Sequence, residues 1–254
     1  MASILKGRVL GKGSYGTVYL AESIDGTLIP PIAIKSCLLQ KSVSLHLEER
    51  SLIRLHGCPG IVQCFGSYLS FENGAVFYNL LLEYAARGSL WDLIQNGPTL
   101  CERDVQRYTG MILRGLTSMH LSGMVHCDLK PSNILVFPGS QEGFKHDQLK
   151  IADFGLVKEV GFLNECEDHW KFRFRGTPNY MSPESVARGQ IGPALDVWSL
   201  GCIVVEMLTG KPAWWPRCQD IETLMYRLAR LKESPKDQRI YPRMGRTFSE
   251  SALQ

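Results

Sequence analysis

What the sequence lacks removes several classes of function. Its eight cysteines, Cys37, Cys58, Cys64, Cys101, Cys127, Cys166, Cys202 and Cys218, are scattered along the chain. None forms a C-x-x-C pair and no histidines recur at metal-ligand spacing, so they read as free thiols rather than zinc ligands or a disulfide framework. Long apolar runs are missing too: the most hydrophobic stretch, residues 200–208, is short and interrupted by Glu206. A strand-like pattern already begins at Ile4, which leaves no room for a secretory leader. The expectation is a reducing, intracellular setting, cytoplasm or nucleus, with no membrane segment. Excess charge is small, 28 Lys and Arg against 25 Asp and Glu for a net +3, and it is spread along the chain. It reads as a solvated surface, and no nucleic acid is expected as a partner. Internal repeats and low-complexity linkers are also absent.

What is present suits one large two-lobed domain or two small ones, since 254 residues at 44% hydrophobic content can bury a core. Alternating patterns over residues 4–10 and 17–21 flank a glycine-rich turn, and residues 29–36 read as a third strand. Residues 42–56 read as a helix with Leu45, Leu52 and Ile53 on one stripe, followed by strands at 61–68 and 76–82. From about Ser89 the period becomes helical. The longest helices are expected at 100–121, with Thr99 as N-cap, and at 194–208. Residues 125–137 and 148–156 have the mixed character of loops that present side chains, and 138–147 reads as an exposed turn. A small sheet-based lobe followed by a larger helical one is the result.

Gly11-Lys12-Gly13-Ser14-Tyr15-Gly16-Thr17-Val18 is a G-x-G-x-x-G-x-V loop, whose glycines let backbone amides approach phosphate oxygens with no side chain between. Taken alone, it could equally be a tight hairpin without a ligand. A dinucleotide-binding turn would need a helix after Gly16, whereas Val18 to Ala21 continues as strand. Lys35 closes the apolar strand Pro31-Ile32-Ala33-Ile34-Lys35, a pattern whose lysine pairs α- and β-phosphates; an edge lysine is the plainer alternative. Glu49 follows Leu45 by four residues and precedes Leu52 and Ile53 by three and four, which puts its carboxylate on the inward stripe. An inward charge needs a partner, and Lys35 is the one at hand, with Glu48 off the stripe.

His126-Cys127-Asp128-Leu129-Lys130-Pro131-Ser132-Asn133 and Asp153-Phe154-Gly155 complete the set. Asp128 is suited to orient a substrate hydroxyl and accept its proton. Lys130 can neutralise charge on a transferred phosphoryl group, and Asn133 and Asp153 can hold magnesium. In this order and spacing, over residues 4–235, the motifs resemble a eukaryotic Ser/Thr protein kinase. The resemblance implies an α+β, bilobal protein kinase-like fold: a small antiparallel-sheet N-lobe with one helix, about residues 1–84, and a larger, mostly helical C-lobe, about 85–235. It implies ATP and Mg2+ as donor and cofactor, with Leu10 and residues 11–18 over the phosphates. Leu82 takes the gatekeeper place, and the Glu83 and Ala85 backbones meet adenine. Gly176-Thr177-Pro178 through Ser182-Pro183-Glu184 resembles the substrate-docking segment, and Lys130 with Thr177 is a Ser/Thr rather than Tyr combination. The phrases LLLEYAARGSL, VHCDLKPSNILV and RGTPNYMSPES are similar to plant mitogen-activated-protein-kinase kinase kinases, which implies a MAP kinase kinase as protein substrate. Two other functions compete: a weakly active kinase fold serving as an interaction module, and a small-molecule phosphotransferase.

Two departures stand out. Cys127 replaces the arginine that in many kinases pairs with a phosphorylated activation loop, so activity is expected not to depend on that contact. Residues 236–254 form an atypical polar tail where the family continues with helices, so the C-lobe reads as truncated and Glu184 as lacking its arginine partner. Read from the third base of the codon for Arg239, the tail can spell a segment resembling the family's next helix, which favours a frame-shifted gene model.

Overall fold

The computed structural model describes residues 4–23, 31–139, 146–160, 175–215 and 220–231. Its first half is a five-stranded antiparallel sheet. Strands β1 (Ile4–Gly13), β2 (Gly16–Ser23) and β3 (Ile32–Leu38) are followed by helix α1 (Val43–Arg54), then by β4 (Cys64–Glu72) and β5 (Ala75–Glu83). The order across the sheet is β1-β2-β3-β5-β4, so β3 lies in the middle, and its Ala33 to Cys37 are all buried. Burying both faces suits a run of β-branched and small apolar residues around a single lysine. Helix α1 turns Leu45 and Leu52 inward, both nearly inaccessible.

The second half is mainly helical. Helix α2 (Leu90–Asn96) starts with a capping box in which the Ser89 hydroxyl accepts from the Asp92 N–H while the Asp92 carboxylate accepts from the Ser89 N–H. Helix α3 (Glu102–Leu121) buries Val105, Tyr108, Ile112, Leu116 and Met119, the three- and four-residue spacing of a core-facing stripe. Short strands follow: β6 (Met124–Val125), β7 (Ile134–Phe137), β8 (Gln148–Ile151) and β9 (Lys158–Glu159), paired β6 with β9 and β7 with β8. Helices α4 (Pro183–Arg188), α5 (Pro193–Thr209) and α6 (Ile221–Tyr226) complete the lobe, and α6 runs on into a π-helical turn, Arg227–Leu231, that packs on α4.

One apolar cluster spans both halves, from Leu52, Leu55 and Leu80 through Ile61 and Phe154 to Ile112 and Ile203. The seam is also hydrogen-bonded, because the Ile151 N–H donates to Gly60 O at 2.8 Å and the Val62 N–H donates to Ile151 O at 3.0 Å. Among the described residues no helix is long and apolar enough to cross a membrane.

Several expectations change. Cys101, not Thr99, is the N-cap of α3: its carbonyl accepts from the Asp104 and Val105 N–H groups at 3.0 Å each, with no side-chain cap. The strand expected from residue 61 starts at Cys64, and Ile61 makes a single parallel bridge to Ile151. Helices α2, α4 and α6 were not anticipated. Residues 29–30, 140–145 of the expected turn, and the tail at 236–254 lie outside the described residues.

Candidate active site

Lys35 emerges from the middle of the sheet into the gap between the lobes. Its ammonium donates to Glu48 Oε2 at 2.6 Å and to Asp153 Oδ1 at 2.8 Å. Burial disfavours that ammonium, but the two carboxylates outweigh it and hold its pKa above the ordinary lysine value. Burial alone would likewise push Asp153 upward; Lys35 reverses the sign and holds it below the usual carboxylate range.

The partner is therefore Glu48, not Glu49. The assignment of Glu49 depended on Ile53 facing inward, and Ile53 is 61% exposed whereas Glu48 is 1% exposed. The true stripe runs through Leu45, Glu48, Leu52 and Leu55, again at three- and four-residue spacing. Glu48 also accepts from the Phe154 N–H at 3.4 Å, which ties α1 to the segment that carries Asp153. Glu49 is turned aside, where it accepts a short hydrogen bond from the Tyr78 hydroxyl.

Asp128 sits on the other side of the gap in a loop held from below by Asp196, a fully buried carboxylate on α5. Asp196 accepts from the His126 N–H at 2.8 Å and the Cys127 N–H at 3.1 Å. His126 fixes the loop further. Its Nδ1 accepts from the Asp128 N–H at 3.3 Å, which leaves Nε2 to donate to Ala152 O at 3.0 Å. Cys127 and Asp153 both adopt the left-handed region, φ 67° and 64°, a conformation unfavourable for residues with a Cβ. One of them precedes Asp128 and the other is the second acidic group of the gap, which is what a site held in tension by its surroundings looks like.

The Asp128 carboxylate accepts from Lys130 Nζ on Oδ2 at 2.7 Å and from the Thr177 hydroxyl on Oδ1 at 2.7 Å, and Lys130 also reaches Thr177 Oγ1 at 3.0 Å. Asn133 Nδ2 donates to the Asp128 carbonyl at 2.9 Å. Sequence reasoning places Asp128, Lys130 and Asn133 here and pairs Thr177 with Lys130, but it assigns no role to His126.

Between the lobes lies a cleft of about 820 Å³, walled by the glycine loop from Leu10 to Gly16, by Val18, and by Lys35, Asn133 and Asp153. Leu82, Glu83 and Ala85 line its inner end. Thr17, expected among the ligand-facing residues, is not part of the lining. In a strand alternate side chains take opposite faces, so with Val18 directed into the cleft Thr17 is directed away. The Glu83 side chain is occupied elsewhere, accepting from Lys150 at 2.6 and 2.8 Å.

With that geometry in view, the similarity to known proteins is decisive. Residues 4–253 match the protein kinase domain family. The chain belongs to that family. The kinase match extends across the tail that reads as atypical. Mitogen-activated protein kinase kinase kinase 20 of Arabidopsis thaliana is 39% identical over 96% of this chain and 70% of its own length. From the same plant, mitogen-activated protein kinase kinase kinase 17 is 37% identical over 98% of this chain and 63% of its own length. Mitogen-activated protein kinase kinase kinase 3 is 36% identical over 82% of this chain and 33% of its own length. The kinase thus spans between about a third and seven-tenths of these relatives. Its domain is that of a serine/threonine protein kinase, with ATP as phosphoryl donor and magnesium as the usual cofactor.

The residues present fit magnesium. Asn133 spends its amide nitrogen on Asp128, which leaves Oδ1 as a neutral oxygen ligand, and Asp153 adds an anionic one from the same cleft. Two protein oxygens are what a hard cation that also binds phosphates requires. Among the described residues no group of three or more His, Cys, Asp or Glu could hold a metal ion. Cys127 is buried, and burial with the nearby Asp196 carboxylate pushes its thiol up to about 12. Residues 161–174 lie outside the described residues.

Proposed function

We propose that this kinase is a MAP kinase kinase kinase acting on MAP kinase kinases inside the cell, in cytoplasm or nucleus. The carrying observation is the Asp128–Lys130–Thr177 cluster, and the relatives' names supply the substrate class.

Asp128 occupies the place of the acceptor. As a serine or threonine oxygen attacks the terminal phosphorus of ATP and the bond to the bridging oxygen breaks, the hydroxyl proton passes to the Asp128 carboxylate. Lys130 stands beside it to offset negative charge on the group in transit, and Thr177 fixes the carboxylate's rotation. Lys35, held by Glu48, is placed to bind the inner phosphates. Magnesium, when bound through Asn133 and Asp153, supplies charge neutralisation on the phosphates.

The test is phosphorylation of a purified, catalytically dead MAP kinase kinase by this chain and by Asp128→Asn, with the modified residues mapped by mass spectrometry. Labelling of activation-loop serine or threonine by the unmodified chain alone is expected. Labelling of a generic protein but not of the MAP kinase kinase would remove the substrate proposal. Equal signal from both chains would point to an interaction module instead.

A further inference from the structure

Trp91, Lys130 and Ser132 line two clefts, and the second, of about 710 Å³, is not bordered by the glycine loop. Its walls come from α2, from the turn at Thr177 to Tyr180, and from residues 210–215 that follow α5. Any segment that presents a hydroxyl to Asp128 must lie along this wall, because Lys130 and Thr177 belong both to the wall and to the Asp128 cluster.

The chemistry of the wall is uneven in an informative way. Two indoles stand half in water on it, Trp91 at 46% exposure and Trp215 at 54%. Large aromatic surface left open in a concave site gains by being covered with apolar side chains. Of the three charged residues in the lining, Lys130 is already paired with Asp128. Glu206 is buried, and its carboxylate is already engaged, accepting from the Tyr180 hydroxyl at 2.6 Å. Lys211 is exposed, and among the described residues its ammonium has no ion-pair partner. Among the described residues the cleft therefore offers two open indoles and one exposed lysine with no ion-pair partner.

We propose that this cleft selects the protein substrate: it takes a segment with a bulky apolar side chain against Trp91 and Trp215 and a carboxylate facing Lys211. The proposal rests on the kinase reading and adds what must surround the phosphorylated hydroxyl.

Steady-state phosphorylation of peptides sharing one serine tests it, with the flanking residues changed one at a time from Leu to Ser and from Asp to Lys. The unmodified chain should favour Leu over Ser by about tenfold in kcat/KM, and Asp over Lys by about threefold, both through KM. Lys211→Glu should reverse the charge preference, and Trp215→Ala should erase the apolar one. Trp215→Leu, which keeps an apolar side chain there, should retain part of it, so a folding defect in the alanine variant does not decide the matter. Equal rates for all peptides, an Asp preference that survives Lys211→Glu, or faster phosphorylation of a small-molecule alcohol than of any peptide would each overturn it. Magnesium-dependent autophosphorylation by the unmodified chain separates the two levels. If it is absent the kinase reading itself fails, and if it is present without peptide preference only the cleft proposal does.

Discussion

Lys35 reaches Glu48 at 2.6 Å across the gap between β3 and α1, while the next residue on the helix, Glu49, faces away toward Tyr78. Two adjacent glutamates thus have unequal roles. Glu48→Gln should lower kcat/KM for ATP about 10²-fold by letting Lys35 drift from the phosphates. Glu49→Gln loses a half-exposed hydrogen bond and should change kcat/KM by less than about threefold. Steady-state kinetics of both variants decide this, and the reverse ranking would restore Glu49 as the partner.

The glycine loop separates structure from ligand binding. A Cβ on Gly13 would meet nothing within 4 Å, whereas one on Gly16, with φ 143°, would stand 2.5 Å from Ser36 O. Gly16→Ala should therefore destabilise the N-terminal lobe by about 1–3 kcal/mol. Gly13→Ala should leave Tm nearly unchanged and raise KM for ATP, since the methyl fills space through which amides approach phosphate. Thermal melts with ATP titrations check both, and a lowered Tm in Gly13→Ala would contradict the assignment.

Cys127 and Cys202 are buried, and burial pushes both thiols up to about 12. Unfolding returns each to about 8.5. With folded values above the unfolded ones, their contribution to stability is whole below about pH 8.5 and is lost as pH rises toward 12. Unfolding free energy should decline through that alkaline window, less steeply in Cys202→Ala after correction for its lost packing. In the folded kinase at pH 8, iodoacetamide should modify the exposed Cys101 well before Cys127. Labelling of Cys127 as fast as Cys101, followed by peptide mapping, would show that the loop beneath Asp128 opens readily.

The motifs were legible because phosphate chemistry demands fixed residue types: Lys35, Asp128, Lys130, Asn133 and Asp153 all reach the gap between the lobes or the Asp128 cluster. Positions that depend on rotation about an element were less so. One residue, Ile53, was enough to turn the reading of α1 by a position, because an exposed isoleucine and a buried one look alike in sequence. Thr17 failed for a similar reason, since a motif marks a stretch while a strand sends alternate residues to opposite faces. Helix α2 carries a signal of its own, Ser89 three residues before Asp92, that is short enough to occur by chance in any polar turn. Asp196 was legible through resemblance, since residues 196–201 resemble the start of the helix that anchors the catalytic loop, but no local pattern spans the 70 residues that separate it from the His126 N–H it accepts from.

Gly115 tests the seam itself. In the middle of α3 an exposed glycine replaced by alanine would gain about 1 kcal/mol of helix propensity. Here a Cβ would stand 2.6 Å from Gly60 O and 2.9 Å from Ile151 Cδ1, and Gly60, at φ 78°, has its own Cβ direction closed off by the Gly115 backbone. The same Gly60 carbonyl accepts from Ile151, so displacing it would also disturb the join between the lobes. Gly115→Ala should therefore lose about 1–3 kcal/mol rather than gain one, seen as a Tm lowered by about 2 °C or more. Leu113, exposed on the same helix, supplies the control. Leu113→Ala should shift Tm far less, and a Gly115→Ala protein as stable as the unmodified kinase would mean that α3 and the Gly60 turn can part without cost.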